Sequence, residues 1–216
     1  MRARIGMPAI VFLAMVCSSH AISQSLAEYY PLKTGSEWIL KGYGANPTIT
    51  STVIGTERIN GVLYTVIEGK AVEEIGEQIG EQNVVYYERC EDNRVYRLKP
   101  NENEEHMMFD FNCDITQHWH TSYTSHDGSL IHIVGRPIGK EITVNVPAGE
   151  FENCIVFEVT DTRKKDGKIH AQHNTFWYAP RVGLVKMTFN LGGGSALVPV
   201  DFWVNDLTHY HIPGNE

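Results

Sequence analysis

Val146-Pro147-Ala148-Gly149-Glu150-Phe151-Glu152-Asn153-Cys154-Ile155 opens the stretch that decides the fold, and Trp177-Tyr178-Ala179-Pro180-Arg181-Val182-Gly183-Leu184-Val185-Lys186 closes it. Each is a strand broken at a Pro/Gly turn, and Lys165-Asp166-Gly167 supplies another turn between them. Pro presets φ at a bend and Gly accepts positive φ, so successive strands fold back on one another as a β-meander. Just upstream, Ile142, Val144 and Val146 share one face of a strand while Thr143 and Asn145 take the other. Such alternation buries one side and wets the other. Ile155, Phe157 and Val159 continue an apolar face beyond the turn.

The same grammar extends in both directions. A single helical turn is expected at 25–28, then a first strand from Gly35-Ser36-Glu37-Trp38 through Leu40 and a loop over 42–47. Residues 48–59 and 62–67 flank Asn60-Gly61, the strongest short hairpin signal. Over 71–82, Val72, Ile75 and Ile79 have helical spacing, weakened by Gly76 and Gly80, so a short helix or excursion is expected there. Strands are predicted over 84–90, 93–98, 107–111, 130–134, 141–146, 170–178, 184–189 and 197–207. The polar, His-rich segment 112–129 reads as a long loop, and Gly192-Gly193-Gly194 as a flexible hairpin, because no helix or lysine follows to make a phosphate cradle. About a dozen strands with hairpin-length links and minor helix specify an all-β chain with one large antiparallel sheet. Twist accumulates across such a sheet, so it curls into a barrel or half-barrel.

Residues 1–21 read as a signal peptide: Arg2 and Arg4 are basic, Pro8 to Val16 is apolar, and Ser19 and Ala21 suit a cleavage site after Ala21. Cleavage after Ser23 is nearly as good. Cleavage after Ala21 leaves 22–216 as a single β domain of the periplasm or the extracellular space. Cys17 offers a rival as a lipid attachment point, but Ala14-Met15-Val16 lacks the small residue wanted just before it. No later stretch approaches the roughly 18 apolar residues of a spanning helix, so no transmembrane segment is expected in the mature chain. Two of the 18 basic residues leave with the leader while all 26 acidic ones stay, giving a mature charge of −10. That surface repels nucleic acid. The acidic run Glu73, Glu74, Glu77, Glu81, Glu88, Glu91, Asp92 reads as a solvated face.

Tyr30-Pro31-Leu32-x-x-Gly35-x-x-Trp38 resembles the opening of a loose family of uncharacterised exported bacterial β-rich proteins. The Val146-to-Cys154 and Trp177-to-Lys186 stretches are similar to its two later signatures, in that order along the chain. The resemblance implies an exported β-rich domain and no particular activity. Arg181 stands where the family turn usually carries a small residue, often Gly. A distant likeness of architecture links such sheets to the carriers that shuttle lipoproteins across the periplasm.

Chemistry is harder to find. No G-x-S-x-G, H-E-x-x-H, C-x-x-C, P-loop or G-x-G-x-x-G is present, so a non-enzymatic protein is expected. A hydrolase would need a dispersed Ser or Cys brought to a His in a cleft. Cys90, Cys113 and Cys154 remain after the leader, an odd count that points to one disulfide. Any pairing is open; Cys90–Cys113 is expected because their strands should return to one edge, with Cys154 as a small buried residue. The alternative function is binding of Zn or Cu by the H-x-H pairs His118, His120 and His209, His211, since i and i+2 share a face in extended chain. The leading expectation needs no cofactor. Trp38, Trp177, Trp203 and Phe189 would line a concave apolar site for a hydrophobic small molecule, or the sheet would meet an envelope partner.

Overall fold

A computed structural model describes residues 26–43, 46–75, 78–100, 102, 104–192 and 202–214. The leader 1–21, Cys17 and most of Gly192-Gly193-Gly194 lie outside them. Among the described residues, one helical turn, α1 (Leu26–Tyr29), precedes twelve strands. These are β1 (Glu37–Gly42), β2 (Thr48–Ile59), β3 (Val62–Ile75), β4 (Gln78–Glu91), β5 (Arg94–Leu98) and β6 (His106–Asp110). Then come β7 (Trp119–Thr124), β8 (Leu130–Val146), β9 (Gly149–Lys165), β10 (Lys168–Ala179), β11 (Gly183–Gly192) and β12 (Phe202–His211). Hairpin turns at Asn60-Gly61, Asp92-Asn93 and Asp166-Gly167 all take positive φ, the residue types such turns demand.

The sheet order is β6-β5-β4-β3-β2-β1-β12-β11-β10-β9-β8-β7. Every strand but one junction therefore pairs with its chain neighbour, and β12 returns to β1 through Glu37↔His211 and Trp38↔Tyr210. The result is an almost closed up-and-down barrel. Its one seam, between β6 and β7, carries no backbone ladder among the described residues. Rings close it instead: His106 stacks on Tyr123 at 4.0 Å, and Phe109 meets Trp119 edge-on at 6.3 Å.

Several expectations are corrected. The described residues of 71–82 form no helix; Val72 pairs with Glu81 and Ile75 with Gln78, and Lys70 bridges to Glu81 at 2.9 Å. Ladder partners outweigh a helical spacing already interrupted by glycines. The 112–129 loop contains β7, whose Trp119 and Tyr123 are buried while His120, Ser122 and Thr124 are exposed. The strands predicted at 130–134 and 141–146 are one strand, β8. Register shifts after Pro137 and positive φ at Glu141 and Asn153 bend the β8–β9 hairpin, and β8 reaches β11 and β12. There Val144 and Cys154 pack with Val185 and Leu207, and Ala148 N–H donates to the Leu207 carbonyl at 3.0 Å.

The expected Cys90–Cys113 disulfide is absent; Cys90, Cys113 and Cys154 are all free thiols. Cys90 pairs with Val95 on β5, and Val95 pairs in turn with Phe109 on β6. Cys113 lies beyond β6, so a whole strand stands between the two cysteines. Two inter-strand spacings are about 9.6 Å, more than the roughly 7 Å limit for bridging Cα atoms.

Hairpins alternate between the two ends of the barrel. One end, the base, is plugged by α1 and the residues after it. Leu26 N–H donates to Asn93 Oδ1 at 3.2 Å, and Arg181 N–H donates to the Glu28 carbonyl at 2.5 Å. Arg181 holds φ at 64°, the left-handed conformation that glycine adopts more readily.

Candidate functional site: the barrel lumen

The lumen holds a cavity of about 330 Å³. Its wall is graded by the alternation of two adjacent strands. Reading from the mouth to the base, β9 and β10 pair Asp161 with Gln172, Val159 with Asn174, Phe157 with Phe176 and Ile155 with Tyr178. Paired residues share a face, and successive rungs on that face lie about 6.6 Å apart. Of these, Asp161, Gln172, Asn174, Phe176 and Tyr178 line the cavity, so the β10 wall runs from polar to aromatic. Trp38 and Leu40 of β1, Met187 and Phe189 of β11 and Phe109 of β6 continue the apolar lining, and Tyr30, Pro31 and Leu32 floor it. Phe109 is the hub, with ring centroids 5.5 Å from Phe157, 5.4 Å from Phe176 and 5.2 Å from Tyr178. Gly183 must be glycine: φ is 96°, and an added Cβ would press on the Trp38 indole, whose Nε1–H donates to the Val182 carbonyl at 2.5 Å.

One buried ion pair crosses the wall. Arg97 Nε donates to Glu88 Oε1 at 2.8 Å, and Tyr30 O–H donates to Glu88 Oε2 at 2.7 Å. Glu88 is fully buried, and the Arg97 guanidinium lies 4.3 Å from the Tyr86 ring centre. The pair is satisfied internally and adds no net charge to the lumen. Burial, then Glu88, pushes the Tyr30 phenol well above its ordinary range.

The mouth is different. Lys99, Tyr123, Asp161 and Gln172 stand where the lumen opens into an outer basin of about 730 Å³. Arg163, Lys165, Lys168, His170, Asp127 and Asp166 also line the basin. Asp127 is occupied by Lys165 at 2.8 Å and Arg163 at 2.6 Å, and hydrogen bonds from Lys165, Ser125 and Ser129 hold its carboxyl well below the usual range. Burial raises Asp161, while Lys99 and Arg163 pull it back. Lys99 Nζ donates to the Tyr123 hydroxyl at 3.3 Å. Burial, helped by Arg97 and Lys99, lowers His106 from 6.5 to about 3, so it is neutral near pH 7. Two buried atoms of lumen-lining side chains, Asn174 Oδ1 and His106 Nδ1, have no hydrogen-bond partner among the described residues.

Of the aromatic residues singled out from sequence, Trp38 and Phe189 line the cavity. Trp177 does not, because it alternates with Phe176 and Tyr178, and it lies beside Lys186 instead, 5.8 Å from Nζ to the ring centre. Trp203 pairs with Phe189 across the β11–β12 ladder, and its side chain lies outside the described ones. His118 and His120 are exposed at β7, and His209 and His211 are exposed on β12, with four strands between β7 and β12. The fold does not gather these histidines into one site. Among the described residues no three His, Cys, Asp or Glu are placed to hold a metal ion. Ser122 Oγ and His132 Nδ1 lie 2.7 Å apart, yet both are on the exposed face of β7 and β8, away from any cleft described above. Sequence reasoning missed Arg97, Lys99, Asp161, Gln172 and Asn174. A signal existed for the last two: they occupy the same alternating face as Phe176 and Tyr178.

Comparison with solved structures finds a protein of Bacteroides fragilis described as exported and as having a YmcC-like fold. The match covers 85% of this chain and 98% of that one, with 13% identity and a TM-score of 0.53. At that identity the likeness shows the fold alone. A protein of Parabacteroides distasonis, provisionally described as a lipoprotein, aligns over 85% of this chain and 98% of its own at 14% identity, with a TM-score of 0.49. No family model matches the chain, and no curated protein matches it in sequence.

Proposed function

We propose that this protein is an exported binding module of the cell envelope that holds an apolar small molecule in its barrel and carries out no chemistry on it. One observation carries the reading: a cavity of about 330 Å³ remains inside a barrel whose base is plugged and whose mouth is polar. Ligand pockets start at about 300 Å³, so the space suits one small ligand. The aromatic rungs supply apolar contact, and satisfied Glu88 and Arg97 present no reactive group. The leader-like residues 1–21 support export. Native mass spectrometry of the full-length gene product recovered from its own envelope is the test. A reproducible extra mass, lost when Leu184→Trp fills the lumen, is the expected result. A bare chain in both wild type and variant, unable to take up any apolar probe, ends the proposal.

A further inference from the structure

The graded wall carries more than the presence of a ligand. The two ends of the lumen ask for different chemistry. Near the base, Phe109, Phe176 and Tyr178 surround the space with rings. Toward the mouth, Asn174 is only 9% exposed, and its Oδ1 has no partner among the described residues. The space is too small for a lipid with two chains, since 330 Å³ lies at the bottom of the ligand-pocket range of about 300–1,000 Å³. The basin at the mouth also gathers basic side chains among the described residues. Lys99, Arg163, Lys165 and Lys168 line it beside Asp127, Asp161 and Asp166. Asp127 is already bound by two of those cations. Asp161 opposes an incoming anion, but Lys99 and Arg163 lie close enough to offset it. Lys99 has its ammonium shared with the Tyr123 hydroxyl and, at 3.8 Å, with Glu102, leaving a donor for the junction.

Resting on the reading of the lumen as a ligand site, we propose that its occupant is a single-chain amphiphile with an anionic head. The chain lies along β10 toward Tyr178, and the head sits beside Lys99, within reach of Gln172 and Asn174. A free fatty acid and a lysophospholipid share this chemistry, and the assay separates them.

Delipidated full-length mature protein is titrated calorimetrically, below micellar concentrations, with laurate, lauryl alcohol and lauroyl lysophosphatidylglycerol. At low salt, at least one of the two anions is expected to bind about tenfold more tightly than the alcohol, the scale of one charge-assisted hydrogen bond. The tighter anion identifies the source. Lys99→Gln should erase most of the advantage without changing the alcohol's affinity, and Lys99→Arg should retain it. Raising salt should narrow the gap in the wild type itself, which tests the charge without any variant. Alcohol binding as well as both anions overturns the head-group assignment and leaves the lumen reading standing. An anion preference untouched by both Lys99→Gln and salt overturns it too. No binding of any probe removes both.

Discussion

Glu88 has no water to solvate its charge, so its stability contribution depends on Arg97 and Tyr30 remaining in place. Arg97→Met alone should cost about 3–5 kcal/mol in urea unfolding, because it strands a buried carboxylate. Combining it with Glu88→Leu should recover most of the loss. His106 makes a second prediction at this scale. The unfolded side chain takes up a proton near 6.5, and the folded one, desolvated and beside Arg97 and Lys99, not until about 3. Between those values the unfolded chain holds more protons, so stability falls as pH is lowered through 6.5 toward 3. His106→Phe keeps a ring against Tyr123 and should flatten that part of the stability–pH curve, measured by denaturant midpoints at several pH values. Neither residue's role was legible in the sequence. A buried Glu looks like any member of an acidic run until its cross-strand partner is known, and Glu88↔Arg97 is a product of register.

At the scale of elements, turn chemistry was the readable part. Asn60-Gly61 set β2 against β3, whereas of Ile142, Val144 and Val146, expected to share a buried face, only Val144 is buried in β8, because the register shifts beside it leave Ile142 exposed. β7 was hidden because its outward positions, His120, Ser122 and Thr124, carry loop-like residues, while only Trp119 and Tyr123 report the core. Gly135 shows how tightly that strand is seated: an added methyl would overlap the Trp119 ring. Gly135→Ala should therefore destabilise the barrel by about 3 kcal/mol, the upper end for overpacking, with lost near-ultraviolet dichroism from the displaced indole. The Cys90–Cys113 expectation failed at the same scale. The strand predicted over 93–98 is β5, and it pairs with both β4 and β6, so it separates the strands of the two cysteines instead of letting them meet at one edge.

For the whole molecule, strand number and curvature were legible because hairpin links leave no other arrangement, and twist closes a sheet this wide. Whether the centre would be filled or hollow was not legible, since the same aromatic residues serve either outcome. The His-x-His pairs lie on separate parts of the barrel because β7 and β12 are neighbours in neither chain nor sheet. The export reading also belongs here. Intact mass of the secreted product should match a chain starting at Ile22, and a lipid-sized addition on Cys17 would replace that outcome. The paired β1 and β12 and the ring-sealed junction of β6 with β7 also make this chain a natural circle with a ready-made cut. A circular permutant that links the present ends and starts anew between Asn112 and His118 would break no inter-strand hydrogen bond. It should refold to the same far-ultraviolet spectrum.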